Sequence, residues 1–270
     1  MTRENEKLIG NYEVTKSGLV TRREILMMGA MAASVGTLVG SGANAANIEA
    51  AATSAASGSG KGSAEAPYVA KDFNALAGSL DGLSASQIKQ HLKLYTGYVD
   101  KANAISKSLK DVDLTTANAT YSTVRELLIE QSFAVNGVVY HEFYFGNLGK
   151  KGDGPTGNLK AAIDDRWGSQ AKFADFLKAA GKSARGWVII GWNTRSGTLD
   201  AFALDTHNIF SPANIVPVLV LDVYEHAYMI DYGVDRPKYL DAFLGNLNWE
   251  VVSKRFAAAS KHPSGWDATV

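Results

Sequence analysis

A carboxylate and an imidazole, Asp222 and His226, lie four residues apart at the end of a strongly apolar stretch. Residues 216–221 are Val, Pro, Val, Leu, Val and Leu, so the chain passes directly from a buried segment to two polar side chains. A carboxylate is costly to bury unless a positive charge or hydrogen-bond donors compensate it. A bound metal ion is the simplest compensation, because aspartate and histidine both serve as metal ligands.

Two further histidines lie in stretches with helical patterning. His91 belongs to an apolar helix face, and His141 has Val, Phe and Tyr neighbours on both sides. Either histidine alone is more simply explained as a satisfied core residue. Together with Asp222 and His226, however, they make three imidazoles and one carboxylate, a donor set that suits manganese, iron or zinc. A metallohydrolase would also use such a set, but it needs a general base and an open cleft, and no motif indicates either.

The elements that must position these residues follow from the periodicity of apolar side chains. Steps of three and four predict a helix over 84–109, capped by Ser84, and a second helix over 121–147. Further on, the pattern predicts helices at 159–167 and 171–180, strands at 186–193, 198–204 and 215–221, and one closing helix over 239–259. The predicted fold class is α+β: an N-terminal helical hairpin domain followed by an α/β domain with a three-stranded antiparallel sheet.

Composition sets limits on the function of the protein. The 270 residues include 27 basic and 27 acidic side chains, a balance that argues against a nucleic-acid-binding protein. The sequence contains no cysteine, which excludes thiolate zinc sites, iron–sulfur clusters and disulfides. Any metal is therefore expected to be held by histidine and carboxylate side chains.

The N-terminal region has the features of an export signal. Arg22 and Arg23 precede an apolar, Ala- and Gly-rich run over 27–42, which ends in Ala43-Asn44-Ala45. This pattern predicts a twin-arginine signal peptide over 1–45, export by the twin-arginine machinery, and a periplasmic or secreted protein. A membrane-anchoring helix is the alternative, although the run is short and rich in Gly for a span.

The predicted domain organisation has four parts after the signal. Residues 46–66 are mostly Ala, Ser and Gly, and they are expected to form a flexible linker. The helical hairpin domain is assigned to 67–150 and the α/β domain to 151–262. A Gly- and Lys-rich connection over 148–157 marks the boundary, and 263–270 form a tail.

The block Asp222-Val-Tyr-Glu-His-Ala-Tyr228 resembles the Asp-Val-Trp-Glu-His-Ala-Tyr signature of iron/manganese superoxide dismutases, with Tyr224 in place of Trp. The resemblance extends over 70–256 and includes blocks of matching order around His91, around His141 and over 236–250. It implies that His91, His141, Asp222 and His226 bind one iron or manganese ion per subunit, with a water or hydroxide as fifth ligand. Superoxide would then be the substrate, converted to oxygen and hydrogen peroxide.

The same resemblance assigns two catalytic residues beside the metal. Tyr98 matches the family's gateway tyrosine, whose phenol would hydrogen-bond the outer-sphere residue; a core tyrosine is the alternative. The outer-sphere residue is usually Gln from the second helix or from the sheet. The helical position is Gly137 here, and His207 falls at the sheet position; a surface loop histidine is the alternative. Either residue type can donate a hydrogen bond to the bound solvent.

Three more residues are implicated in assembly and substrate attraction. Glu225 resembles the residue that pairs with His226 of the partner subunit, and Tyr228 resembles a tyrosine at the dimer interface, so a homodimer is expected. Arg236 would line the substrate funnel and attract the superoxide anion, or it would form a structural salt bridge.

Some positions depart from the family pattern. The spacing between His91 and Tyr98 is one residue shorter than usual, which indicates the loss of a helical irregularity. The substituted positions are Leu94 and Tyr95, where paired histidines are typical, and Val139 and Phe145, where Trp is common. The ligand set is intact, so the sequence predicts a superoxide dismutase. A metal-binding homologue without dismutase turnover is the alternative.

Overall fold

The computed structural model describes residues 67–149 and 152–262. Its first long helix, α1, covers Ala85–Ser108 and begins where the Ser84 hydroxyl accepts a hydrogen bond from the Gln87 amide. The helix is continuous, in agreement with the loss of an irregularity that the short His91–Tyr98 spacing indicates. The predicted signal peptide, the linker and the C-terminal tail lie outside the described residues.

The second long helix, α2, covers Thr123–Asn147 and is capped by Ser122. It packs along α1, and the two helices bury His91 and His141 completely in the space between them and the sheet. Two shorter helices follow, α3 at Gly157–Trp167 and α4 at Gln170–Ser183. The helical hairpin expected from the periodicity is thus present and carries two of the four proposed ligands.

Three antiparallel strands form the sheet: β1 at Trp187–Asn193, β2 at Thr198–Leu204 and β3 at Ile215–Asp222. The central strand is β1, which pairs with both others. A bulge between Ile190 and Gly191 shifts its register with β3, and a Cβ at Gly191 would lie 2.1 Å from Ile215. The register places Trp187 opposite Asp222, so the start of β1 and the end of β3 meet beside the buried histidines.

The single closing helix predicted over 239–259 is wrong, because two helices occupy this region. The first, α6, covers Arg236–Gly245, and the second, α7, covers Trp249–Ala259. Between them Leu247 forms an isolated bridge with Leu148, and the Asn248 amide donates to the Asn147 carbonyl at 2.7 Å. Backbone bonds to the end of α2 therefore take up the Asn246 carbonyl and the Asn248 amide, and the Asn248 side chain caps the start of α7.

A further short segment was not predicted. After β3 the chain forms a 3₁₀ turn at Glu225–Ala227 and a single helical turn, α5, at Met229–Tyr232. This segment carries His226 and packs on α1. No apolar periodicity marks it in the sequence, because it is too short to have a repeating face.

The α+β fold class with a three-stranded antiparallel sheet is confirmed. The described residues belong to one compact unit, and the division into a helical domain over 67–150 and an α/β domain over 151–262 stays a prediction. Within the described residues, each helix is either too short or too polar to cross a bilayer.

Candidate metal centre

Four side chains from α1, α2, the end of β3 and the following turn converge on one buried point. The Nε2 atoms of His91 and His226 each lie 3.1 Å from Asp222 Oδ2, and His141 Nε2 lies 3.7 Å from the same oxygen. All four donor atoms lie within 4.8 Å of one another. Donor atoms bonded to one ion at about 2.1 Å stand about 3–3.6 Å apart, so the cluster has the dimensions of a coordination shell.

His141 is oriented by the helix that carries it. Its Nδ1 lies 2.6 Å from the Gly137 carbonyl one turn earlier, so Nδ1–H donates this bond. The neutral ring then carries its lone pair on Nε2, which is buried and has no hydrogen-bond partner within the described residues. A buried nitrogen without a hydrogen-bond partner is unusual, and one that faces two imidazoles and a carboxylate is suited to bind a metal ion.

Asp222 is held on both of its sides. Its Oδ1 accepts a hydrogen bond from the Tyr224 amide at 2.9 Å, which leaves Oδ2 facing the three imidazoles. The carbonyl of Asp222 accepts a 2.6 Å hydrogen bond from the hydroxyl of Tyr239, which is fully buried. Hydrogen bonds therefore hold both the carboxylate and the backbone of Asp222, which is the support that outer-shell groups give to ligands in metal sites.

The protonation of the cluster also suits a metal. Burial lowers the pKa of His91 and lowers that of His141 well below its ordinary value. Burial alone would raise the pKa of Asp222, but the adjacent His226 and His91 outweigh it, and the pKa lies below the usual range. Two neutral buried imidazoles and an ionised carboxylate are the forms in which these side chains bind metal ions.

His207 lies beside the cluster, in the connection between β2 and β3, and its side chain is buried. The indole Nε1–H of Trp187 donates a 2.9 Å hydrogen bond to His207 Nδ1. Burial lowers the pKa of His207 to about 4. The ring is therefore neutral near pH 7 and carries its proton on Nε2, where it can donate to a bound solvent molecule.

Tyr98 lies between the cluster and His207. Its ring stacks on His141 at a centroid distance of 5.3 Å and meets the His207 ring edge to face at 4.7 Å. The two side chains meet through their rings, and the expected hydrogen bond from the Tyr98 hydroxyl to His207 stays a prediction. Burial raises the pKa of the Tyr98 hydroxyl to about 12, so the phenol is protonated.

Gly137 makes room for Tyr98. A Cβ at this position would lie 2.9 Å from the Cγ of the tyrosine ring. The helical position that carries no side chain is thus filled by an aromatic ring from α1, and the sheet side of the site supplies His207 instead.

Comparison with known proteins gives the family. The model of the C-terminal domain of iron/manganese superoxide dismutases matches residues 155–255. The chain is 44% identical over 188 residues to a superoxide dismutase [Fe] of Aquifex aeolicus, with 68% of this chain and 88% of that protein covered. A superoxide dismutase [Fe] of Cupriavidus metallidurans is 38% identical over 71% of this chain and 98% of its own length. A superoxide dismutase [Mn] of Mycolicibacterium smegmatis is 34% identical over 74% of this chain and 98% of its own length.

The chain belongs to the iron/manganese superoxide dismutase family. Its departures from the family signature have structural consequences near the centre. Tyr224, in place of Trp, stacks on His226 at 5.1 Å and lies 5.3 Å from the His207 ring. Tyr95, at a position of the paired histidines, is buried, and its hydroxyl donates to Glu142, next to His141. The adjacent Leu94 is 38% exposed.

The remaining predicted residues lie on the side of His226. Glu225 is exposed, whereas Tyr228 is buried under Arg236, whose Nε donates to the tyrosine hydroxyl at 3.1 Å. The Arg236 guanidinium also donates to the carbonyls of Ala184 and Gly181, at 2.8 and 3.4 Å. In the described part of the chain the hydrogen-bond partners of Arg236 are therefore uncharged, and the alternative of a structural salt bridge finds no support there.

Sequence reasoning missed three contacts of this site. These are the Trp187–His207 hydrogen bond, the support of Asp222 by Tyr239, and a buried amide, Gln87, that reaches the backbone of His226. Only Gln87 left a signal in the sequence, as a polar residue on the apolar face of α1, one turn before His91.

Proposed function

We propose that the protein is a superoxide dismutase that uses one iron or manganese ion per subunit, held by His91, His141, Asp222 and His226. The observation that carries this proposal is the buried convergence of the four donors beside a neutral, hydrogen-bond-donating His207. When bound, the ion would supply reversible one-electron redox chemistry at this site. Two superoxide anions and two protons thereby give oxygen and hydrogen peroxide.

The donor set gives the site a positive net charge for its substrate. The carboxylate offsets only part of the charge of a di- or trivalent ion, and the two buried imidazoles are neutral and offset none of it. An anion such as superoxide is attracted to the remaining charge, and the attraction is strong where the walls exclude water.

The protein side chains control the protons. The His207 Nε2–H would donate a hydrogen bond to a solvent molecule held at the metal, because Trp187 occupies the other ring nitrogen. Tyr98 keeps its hydroxyl proton and stands next to His207 and His141, and we place the entrance for substrate beside it. With a pKa of about 4, His207 works near pH 7 as a fixed hydrogen-bond donor and not as a charged acid.

Zinc is disfavoured, because it cannot cycle between oxidation states. Iron and manganese both remain, since similar proteins are named with either metal. The alternative, a metal-holding homologue without turnover, is disfavoured by the intact pair of Tyr98 and His207 next to the ligands.

The test is metal analysis of the purified full chain, followed by reconstitution of separate samples with iron and with manganese. At least one sample is expected to remove superoxide far faster than its spontaneous decay, and Asp222→Ala is expected to lose both metal and activity. If superoxide decays only at its spontaneous rate in the presence of the metal-loaded protein, the proposal of dismutase activity is refuted and the homologue without turnover is favoured. Full metal occupancy in Asp222→Ala would contradict the ligand assignment.

A homodimer is part of the proposal. Glu225 is exposed and directly precedes His226, so it is available to pair with His226 of the partner subunit. Tyr228 would lie at the same interface, and Arg236 would steer the anion toward the metal while supporting Tyr228. Glu225→Ala should shift the mass measured by light scattering toward the monomer, and an unchanged dimer would remove Glu225 from the interface.

Export by the twin-arginine route is the last part. It is supported by Arg22-Arg23, the apolar run over 27–42 and the small residues at 43–45. This route carries folded proteins, so the metal could be inserted before export to the periplasm or beyond. Replacing Arg22-Arg23 by Lys-Lys should leave the protein in the cytoplasmic fraction, and normal export of that variant would indicate another route.

A further inference from the structure

Gln87 is an uncharged polar residue that is completely buried, one helical turn before His91 on α1. A buried primary amide requires partners for both its NH₂ group and its oxygen. Both partners lie in the segment that carries His226: Nε2 donates to the His226 carbonyl at 2.5 Å, and Oε1 accepts from the Ile230 amide at 3.1 Å.

The two backbone groups that Gln87 contacts are a pair that a regular helix would join directly. In an α-helix the amide of residue 230 would donate to the carbonyl of residue 226. Here the side-chain amide lies between them, accepting from one and donating to the other. Insertion of a side chain into this ladder holds a turn open, and the chain is a 3₁₀ turn up to Ala227 before helix α5 starts at Met229.

The amide of Gln87 makes both bonds because it carries a donor and an acceptor. The carbonyl of His226 needs a donor and the amide of Ile230 needs an acceptor, so an ionised carboxylate or an apolar side chain cannot satisfy both. Gln87 and His91 also lie on the same face of α1, four residues apart. The hydrogen bonds of Gln87 therefore connect the helix of one proposed ligand to the backbone of another.

His226 is the ligand most in need of such support. Its side chain is 23% exposed, whereas those of His91, His141 and Asp222 are fully buried. It comes from a short turn and not from a long helix or strand. A second tie nearby, from the Ser84 amide to the Asp231 carboxylate at 2.7 Å, fixes the far end of this segment to the start of α1.

We infer that Gln87 is a positioning residue that sets the place of His226 relative to His91 in the metal centre. The His91 and His226 rings are 4.8 Å apart, and without the amide the turn could close by its own 230-to-226 hydrogen bond. Closure would move the His226 backbone away from α1 and distort the coordination. The inference rests on the proposed metal site, but not on dismutase turnover.

The test compares Gln87→Met with Gln90→Met in the full-length protein, loaded with iron or manganese. Methionine is close to glutamine in size and flexibility, so packing is kept while both hydrogen bonds are lost. Gln90 is an exposed residue of the same helix and serves as the matched control. The readouts are the rate of metal loss to a chelator and the electron paramagnetic resonance spectrum, which reports ligand geometry.

Gln87→Met is expected to lose metal on the order of 10–100-fold faster than the wild type and to show an altered spectrum. Gln90→Met should match the wild type in both. Gln87→Met protein that retains metal and gives a spectrum like the wild type would overturn the inference. An unchanged spectrum combined only with a lower unfolding temperature of the metal-free protein would also overturn it, because Gln87 would then have a structural role alone.

If Gln87→Met does not fold, Gln87→Glu decides the matter, because glutamate has the same shape. At a pH where the glutamate is ionised, it keeps an acceptor for Ile230 but sets a second oxygen against the His226 carbonyl, so rapid metal loss is again expected. A folded Gln87→Glu protein with a wild-type spectrum and retention would refute the positioning role. Wild-type protein that retains metal without dismutating superoxide would refute the proposed function only, and the Gln87 comparison would still be decisive.

Discussion

At the scale of single residues, the hydrogen bond from Trp187 to His207 determines which ring nitrogen carries a proton. The indole can only donate, so the Nδ1 atom that it reaches must be an acceptor. The remaining proton is then on Nε2, and it stays there near pH 7 because the pKa of His207 is about 4. One indole thus makes a buried imidazole behave as a fixed donor.

Removing this indole N–H gives the first prediction. Trp187→Phe leaves the buried Nδ1 atom without a partner, which costs about 1–3 kcal/mol of stability, and frees the ring to change tautomer. Dismutation is expected to fall by on the order of tenfold while the metal is retained. Stopped-flow decay of superoxide and metal analysis of the same sample provide the measurement.

The chain offers a matched control for this change in Trp192, also on β1. Its Nε1 atom is buried and has no hydrogen-bond partner within the described residues. Trp192→Phe therefore removes an indole without breaking such a bond, and dismutation should stay near the wild-type rate. Equal losses of dismutation in the two variants would mean that activity depends on the size of the side chains on β1, and not on the hydrogen bond from Trp187 to His207.

At the scale of elements, α1 and α2 both contain glycine, but only Gly137 on α2 lies against a side chain of the other helix. Gly137 faces Tyr98, whereas Gly97 on α1 has no neighbouring atom within 4 Å of an added Cβ. The same substitution should therefore have opposite effects at the two positions, because helix propensity favours Ala at both but only one site has room.

Gly137→Ala is expected to push the Tyr98 ring away from His141 and to destabilise the protein by about 1–3 kcal/mol through overpacking. Dismutation should fall as well, since Tyr98 lies at the proposed substrate entrance. Gly97→Ala should instead stabilise by about 0.5–1 kcal/mol with unchanged activity. Chemical denaturation and superoxide decay measure both effects, and a stable, fully active Gly137→Ala would show that the ring can move without consequence.

The break between α6 and α7 shows what periodicity cannot reveal. The apolar pattern over 239–259 continues without interruption, and a single helix is the simplest prediction from it. The actual break depends on the Asn248 amide, which pairs with the Asn147 carbonyl about a hundred residues earlier in the chain. Such a bond depends on where the end of α2 comes to lie, whereas Gly245 and Asn246 at the end of α6 and the Asn248 cap of α7 are local signals of a break.

At the scale of the whole molecule, the sequence indicates the fold class and the ligand set for the same reason. Ligands must be particular residue types at particular points of regular elements, so His91 and His141 in helices and Asp222 at a strand end can be recognised. Supporting contacts have no such signature. Gln87 can be noticed in the sequence as a polar residue on an apolar helix face, but its partners, like the uncharged partners of Arg236, become visible only in the folded chain.

The concentration of buried, neutral histidines in one centre predicts how the metal-free protein responds to acid. For His207 the pKa is about 4 in the folded state against an ordinary value of 6.5. Between these values the unfolded chain binds a proton that the folded chain does not, so stability falls as the pH drops. His207 contributes about 3 kcal/mol to this loss by pH 4, and burial of His91 and His141 acts in the same direction.

Guanidinium denaturation of the metal-free protein at intervals from pH 7 to pH 4 should therefore give a free energy of unfolding that decreases steadily. His207→Gln is the matched variant, because its amide oxygen can accept the Trp187 hydrogen bond but cannot take up a proton in this range. Its free energy should depend less steeply on pH than that of the wild type, with most of the difference appearing below pH 6. Parallel curves for the two proteins would mean that His207 is protonated as readily in the folded chain as in the unfolded one, and that its donor role near pH 7 is not fixed by burial.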